Sequence, residues 1–405
     1  MLKPAKKYVG RAFVNPVSKI VARIYSRSKE GVDEGFFRQR IRQSLQARSD
    51  CLTKSARLVF AEADFLPGLI IDQFVGWQYS DIQNITGDDE ITFDLLKIKF
   101  GEPKKWLSIQ FLSFAMDCRK NEIINAVENV LAYECPEIEL DGIVEKSAPV
   151  REREGLPLFE GVIKGQFPKY GIVIFEGNCM FHIDLLNAQK TGHFLDQKEN
   201  HRRAAKYAFE LSNQLGKKLK VLDAFCYTGG FTIPIARICD AEITASDSSE
   251  AALAALHDNL KLNGVQNSVT AVTDNVFDLL TKYERAKMSF DLVILDPPAF
   301  AKSRSSMDGA VRGYKEINLR ALKLLSNNGI LITCSCSYAM TEEKFKTIIA
   351  DAAFDAGVRL VQLDFCYQSN DHPILVSYEE SQYLKCAYYR VLKLKSQHLK
   401  HANER

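Results

Sequence analysis

From about residue 190 to its end, the chain alternates short β-branched runs with helical patterns, and this constrains the fold more than any other feature. The strand-like runs are "KVLDAF", "AEITASD", "VTAVTD", "FDLVILD", "GILITCS" and "VRLVQLDF". Between them lie "FTIPIARIC", "SEAALAALHDNLKLN", "VFDLLTKYERAK", "YKEINLRALKLLS" and "EEKFKTIIADAAFDAG", whose apolar residues recur at helical spacing. Such alternation predicts an α/β unit: a mostly parallel sheet with helices on both faces. "YLKCAYYRVL" supplies a last strand.

A chain of 405 residues is long for one domain, and the pattern changes twice before residue 190. Three segments are expected: 1–50, 51–189 and 190–405. The net charge is only +2, yet residues 1–50 hold 12 Lys/Arg against 4 Asp/Glu, the first acid being Glu30. A basic, acid-poor start fits a solvated face or a surface that meets a polyanion such as nucleic acid. Within it, "GRAFVNPVSKIVARIYS" alternates like two strands around an Asn-Pro turn, which argues against a transit helix. Residues 34–49 read as a basic amphipathic helix with Phe36, Phe37, Ile41 and Leu45 on one face. The middle segment mixes strands such as "LPGLIIDQF" with a helical "NEIINAVENVLAY". It closes on "GIVIFEGNCMFHIDL", a hairpin pattern, so a smaller α+β domain is expected. Ten scattered cysteines, no Cys-x-x-Cys and no clustering with the seven histidines argue against a metal site or a disulfide framework. With no membrane-spanning run and no secretory signal pattern, a cytoplasmic protein with reduced thiols and no membrane partner is expected.

Ligands of open α/β sheets bind outside the carboxyl ends of the strands, so those ends carry the functional reading. The first is "DAFCYTGGF": Asp223 ends the strand, and the Thr228-Gly229-Gly230 turn lets a ligand approach the backbone. It lacks the Gly-x-Gly-x-x-Gly spacing and a Walker lysine, which disfavours NAD and ATP. Asp247 in "ASDSS" is suited to ribose hydroxyls, and Asp274 in "TDNVFDLL" to an adenine amino group. Either acid alone would serve as a helix N-cap; both at successive strand ends point to a nucleoside cofactor. In "LDPPAF" two prolines stop the strand, project Asp296 and leave Phe300 to stack on a planar group. The fifth end, "GILITCSCSYAM", brings Cys334 and Cys336 beside the same cleft. In a continuous strand the two share a face, so spacing does not choose between them.

Together "DAFCYTGGF", "LDPPAF", "RGYKEIN" and "CSCS" resemble the class I S-adenosylmethionine-dependent RNA methyltransferases, and more narrowly the bacterial 23S ribosomal RNA 5-methylcytosine methyltransferases. "EADFLPGLIIDQF", "KTGHFLDQKENHR" and "DHPILVSYEESQYLK" are similar to segments of the same family. The resemblance runs from about residue 10 to the C-terminus and is weakest across roughly 75–140. It implies a Rossmann-like class I methyltransferase sheet, mostly parallel with a last antiparallel strand, and S-adenosylmethionine as cofactor. Thr228, Gly229 and Gly230 would face the cofactor's methionine part, with Asp223 ending the strand before them. Asp247 would hold its ribose, Asp274 and Asn275 its adenine, and Gln197 would close the cleft. Asp296, Pro297, Pro298 and Phe300 would shape the target-base pocket, and Arg312 and Tyr314 of "RGYKEIN" would help hold the base. The family's PUA domain, a small RNA-binding barrel, is matched only by its last strands. A reduced PUA-like segment, or a start further upstream, is therefore expected.

The family's nucleophilic cysteine matches Cys336; where Cys334 stands, close relatives tend to carry an aromatic residue. Cytosine C5 is a weak nucleophile, and thiolate addition at C6 makes it carbanion-like, which gives such a cysteine its use. The expected activity is C5-methylation of cytosine in ribosomal RNA through a transient Cys336 adduct, with Asp296 orienting the base. Two alternatives stand beside it. A guanine N-methyltransferase on ribosomal RNA would have no use for the thiol. A non-catalytic RNA-binding assembly factor would have no use for the strand-end acids.

Overall fold

The computed structural model describes residues 8–82, 91–187, 193–300 and 307–393. The segment boundary expected between 189 and 190 lies outside the described residues. Strands β1 (Arg11–Val14) and β2 (Ala22–Ser26) pair antiparallel around the Asn15-Pro16 turn, as their alternation implies. That turn is pinned to Glu154, whose carboxylate accepts from Asn15 and Ser18 and meets Arg23 at 2.8 Å. The helix Glu34–Gln46 follows, capped by the Asp33 side chain on the Phe36 amide. It buries Phe36, Phe37, Ile41 and Leu45, the face expected from the sequence.

The next sheet contains β3 (Ala56–Phe60), β4 (Leu69–Gln78), β5 (Lys104–Phe111), β6 (Leu140–Lys146), β7 (Glu160–Gly165), β8 (Ile172–Glu176) and β9 (Cys179–Ile183). Its order is β7-β6-β5-β4-β8-β9, with β3 also pairing β4. The parallel pair β5–β6 needs a crossover, which the helix Lys120–Glu134 provides. Its buried Ile123, Ala126, Val127 and Val130 share a core with Leu107, Ile109 and the helix Glu34–Gln46. The hairpin β8–β9 turns at Gly177, which takes a φ of +58°.

The C-terminal sheet holds β10 (Leu219–Asp223), β11 (Ala241–Asp247), β12 (Val269–Thr273), β13 (Phe290–Leu295), β14 (Leu325–Ser335), β15 (Val358–Cys366) and β16 (Lys385–Lys393). The order is β12-β11-β10-β13-β14-β16-β15, and β16 alone runs antiparallel to its neighbours. This is the α/β sheet expected, including the antiparallel last strand. The winding reverses between β10 and β13, so their carboxyl ends diverge into a crevice. One covering helix, Lys198–Leu215, escaped the sequence reading because its buried face is largely small: Ala204, Ala205 and Ala208. Another, Met307–Leu324, includes residues before Tyr314, where Ala310 extends the buried face toward the N-terminus.

The segment around Asp371 ties the two large sheets together. Its carboxylate accepts from the Arg57 amide at 2.9 Å and from Lys198 Nζ at 2.8 Å, while Arg48 Nε donates to its carbonyl. Nearby, the Tyr383 hydroxyl donates to Asp196 Oδ2 at 2.6 Å. The cleft of the C-terminal sheet is thus held from outside by residues of the preceding unit. Among the described residues no helix is long and apolar enough to cross a membrane, and no group of three or more His, Cys, Asp or Glu side chains could hold a metal.

Candidate active site

At the end of β10 the Asp223 carboxylate is fully buried. Its Oδ2 accepts from the Thr232 hydroxyl at 2.7 Å, while Oδ1 has no partner of ordinary hydrogen-bond geometry. Burial outweighs the Thr232 bond and raises its pKa to about 7. An underbonded buried carboxyl of this kind suits a cationic ligand group.

The loop after it is built around positive φ angles, +46° at Tyr227 and +98° at Gly229. A Cβ at Gly229 would lie 2.6 Å from Leu256 Cδ1, and one at Gly230 would lie 2.5 Å from His201 Cε1. Packing against the protein itself therefore requires both glycines, where the sequence had pointed to ligand approach. Thr228 offers its carbonyl to Asn259 Nδ2 at 3.0 Å, which fixes the loop to the helix Glu250–Leu262. The His201 imidazole is in turn held by a buried group from the other sheet. Its Nδ1 lies 2.6 Å from Glu176 Oε1, and His193 Nε2 lies 2.9 Å from Glu176 Oε2. Burial opposes the charge on Glu176, yet the two imidazoles hold its pKa at about 2. Burial also opposes the charge on His201, and Glu176 outweighs it, so the His201 pKa is raised. Sequence reasoning passed over this triad because its members lie on a strand, a connection and a helix, with no local spacing to join them.

The next two acids sit at the expected strand ends, and each also does local work. Asp247 accepts from the Tyr227 amide at 3.0 Å and the Ser249 amide at 2.9 Å. Asp274 accepts from the Asn275 amide at 2.8 Å, and Asn275 caps the helix Val276–Arg285 through the Phe277 amide. Gln197, expected to close the cleft, is buried and clamps Asp296. Its Nε2 donates to Asp296 Oδ2 at 2.9 Å, and its Oε1 accepts from Asn200 Nδ2 at 2.7 Å. The structure thereby joins two residues, 99 positions apart, that the sequence had assigned separately.

Two aromatic residues of the expected base pocket pack on one another. The partly exposed Phe300 ring lies 4.8 Å from the Tyr314 ring, and a Cβ at Gly313 would approach it to 3.2 Å. Tyr314 is fully buried, and its hydroxyl donates to Ser335 Oγ at 3.0 Å. Arg312, two residues earlier on the same helix, is exposed. Of the two prolines, Pro297 is buried and Pro298 exposed.

The two cysteines part company. β14 ends at Ser335, so the alternation that would have set them on one face stops before Cys336. Cys334 is fully buried opposite Cys386 on β16, with the sulfurs 3.2 Å apart, and burial raises its thiol pKa well above the usual value. Cys336 is only half-buried, and its Sγ lies 4.0 Å from the Pro297 carbonyl, in the turn that carries Asp296. One thiol lies in the core and the other beside the turn that follows β13.

A family described as S-adenosylmethionine-dependent methyltransferase matches residues 165–363. The "Ribosomal RNA large subunit methyltransferase I" of Aeromonas hydrophila is 36% identical over 387 residues, covering 94% of this chain and 86% of its own length. The protein of the same name from Klebsiella pneumoniae is 32% identical over 393 residues, covering 95% and 87%. The chain belongs to the ribosomal RNA large subunit methyltransferase I family. It is accordingly an S-adenosylmethionine-dependent methyltransferase. A solved candidate methyltransferase in complex with SAH shares the fold, with a TM-score of 0.73 over 94% of this chain and 88% of its own at 22% identity. The cleft of this family member suits the family's cofactor: the spare oxygen of buried Asp223 matches an ammonium, and two further carboxylates follow at adjacent strand ends.

Proposed function

We propose that this protein methylates C5 of a cytosine in large-subunit ribosomal RNA through a transient bond between Cys336 Sγ and cytosine C6. The observation that carries this reading is the divergence of the two thiols: Cys334 is sealed in the core, while Cys336 lies at the strand end beside the Pro297 turn. The names of the relatives support ribosomal RNA as substrate. Asp223 would hold the cofactor's ammonium, with Thr228, Gly229 and Gly230 beside its methionine part. Asp247 would hold the ribose, and Asp274 with Asn275 the adenine edge. S-adenosylmethionine, when bound, supplies an electrophilic methyl group on a sulfonium.

Cys336 as thiolate adds to C6, which pushes electron density to C5 and makes that carbon nucleophilic. Asp296, clamped by Gln197, is oriented to hydrogen-bond the base edge during this addition. Once C5 carries the methyl group, loss of its proton and departure of the Cys336 sulfur restore the ring. The target base must be unstacked to expose its C5–C6 edge, so docking of the RNA is part of the reaction. We assign that docking to residues 1–50 and 51–189 and the chemistry to residues 190–405, in a protein that works in the cytoplasm. Phosphate contacts from the basic first segment would add affinity without sequence choice.

The test is incubation with labelled S-adenosylmethionine and protein-free ribosomal RNA, followed by digestion and identification of the labelled nucleoside. 5-Methylcytidine is expected, and a covalent protein–RNA complex is expected with 5-fluorocytidine in the target position. Methylguanosine as the labelled product would overturn the cytosine reading.

A further inference from the structure

Lys385 opens β16 and is almost fully buried. Its backbone pairs with Ser335, the last residue of β14, and its Nζ donates to the Ser337 carbonyl at 2.6 Å. The residue between these two anchor points is Cys336, so the lysine side chain brackets the thiol-bearing turn.

A buried ammonium ordinarily sits against a carboxylate, because an unpaired one is costly to desolvate. Among the described residues Lys385 forms no ion pair within 4.0 Å with an acid. Glu342, the acid that acts on it, already meets Lys346 at 2.7 Å and the Tyr367 hydroxyl at 2.6 Å. Burial lowers the Lys385 pKa to about 8, and Cys336 is the first group, ahead of Glu342, that pulls it back upward. The titratable groups around this corner are Asp296 after β13, Tyr314 on the helix Met307–Leu324, Cys334 in β14 and Glu342 on the helix Glu342–Asp355. Each of these is neutral or negative; the cations beside them are Lys346, held by Glu342 at 2.7 Å, and Lys385.

We propose that Lys385 is a positioning residue for Cys336: its ammonium is the counter-ion of the Cys336 thiolate, and its bond to Ser337 fixes the turn that presents the sulfur. This rests on Cys336 being the nucleophile. Addition of the thiolate to C6 moves its negative charge onto the pyrimidine and leaves the proton on Lys385. Elimination returns the charge to sulfur, where the same ammonium receives it. Lys385 thus lies outside the set of substrate-touching groups and acts through the cysteine alone.

The experiment measures alkylation of Cys336 by iodoacetamide in the full-length protein, read by mass spectrometry of the peptide that carries it, from about pH 6 to about pH 10. With Lys385→Met the alkylation rate at pH 7 is expected to fall about tenfold, with the gap closing toward about pH 10 as the thiol ionises unaided. Lys385→Arg keeps the cation and should stay within about threefold of the parent. A folded Lys385→Met protein, checked by circular dichroism, that alkylates like the parent at every pH overturns the proposal. If that variant does not fold, Glu342→Gln decides: freeing Lys385 from the competing acid should speed alkylation at pH 7, and an unchanged rate overturns the pairing. Because alkylation needs no RNA, its outcome is separate from that of the methylation assay. Loss of the cytosine reading would leave a measured Lys385–Cys336 pair intact.

Discussion

Two buried charged groups, one beside each large sheet, are treated differently. In the turn after β6, Arg151 meets Glu145 at 2.8 Å and Asp117 at 2.6 Å and donates to the Phe111 carbonyl, so that only its Nε lacks a partner. In the C-terminal sheet Asp223 is as deeply buried, yet one of its oxygens has no partner of ordinary hydrogen-bond geometry. A charge whose task is to hold the fold is matched, because removing one member strands the other at high cost. A charge left underbonded at a strand end retains capacity for a ligand. The same contrast separates Arg57, paired with Asp72 at 2.8 Å, from Lys385, whose side chain bonds to a carbonyl beside the thiol.

Four substitutions test this difference between the two regions. The largest effect is expected from Cys336→Ala, which should cut methyl transfer to ribosomal RNA roughly a thousandfold or more. Its affinity for S-adenosylmethionine, read by calorimetry, should stay within about twofold of the parent. Next comes Arg151→Met, which leaves Glu145 and Asp117 to Lys120. Urea unfolding should show a loss of about 1–3 kcal/mol, whereas an undisturbed midpoint would make the matched cluster irrelevant to folding.

Asp223→Asn should separate ligand binding from stability. Cofactor affinity is expected to fall about tenfold as the charge facing the ammonium disappears. The folded pKa of about 7 lies above the ordinary carboxyl value. Its contribution to stability is therefore full below that ordinary value and is lost as pH rises through about 7. The Asn variant should accordingly gain melting temperature relative to the parent as pH is raised from about 4 to about 8. A drop across that range would mean the carboxylate has a partner after all. The smallest effect belongs to Tyr314→Phe, which removes only the bond to Ser335 Oγ. It should cost about 1 kcal/mol in thermal unfolding and leave kcat within about twofold. A large fall in kcat would place Tyr314 in the substrate pocket.

The elements that were legible in the sequence are those set by neighbours close along the chain. Strand–helix alternation, the Asn15-Pro16 and Gly177 turns and the face of the helix Glu34–Gln46 all follow from local spacing. So do Asp223, Asp247, Asp274 and Asp296 at their strand ends, because a strand that stops in an acid is visible in a few residues. Burial was not legible in "RGYKEIN" and "LDPPAF". Aromatic residues beside a proposed pocket look like ligand contacts, but Phe300 and Tyr314 pack on one another, and their apolar surface favours that core.

A doubly wound sheet, a line of strand-end carboxylates and two thiols near its crevice are written in the residues themselves. Pairing of the strands separates the thiols: β14 stops at Ser335, and its register buries Cys334 opposite Cys386 while Cys336 stays partly exposed. Folding also brings Glu176 from another sheet to hold His201 beneath the glycine loop, and Lys385 to Ser337 from 48 positions away. Those contacts depend on sheet order and on how two units are clamped together at Asp371. No periodicity along the chain encodes such meetings; they exist only once the strands are paired.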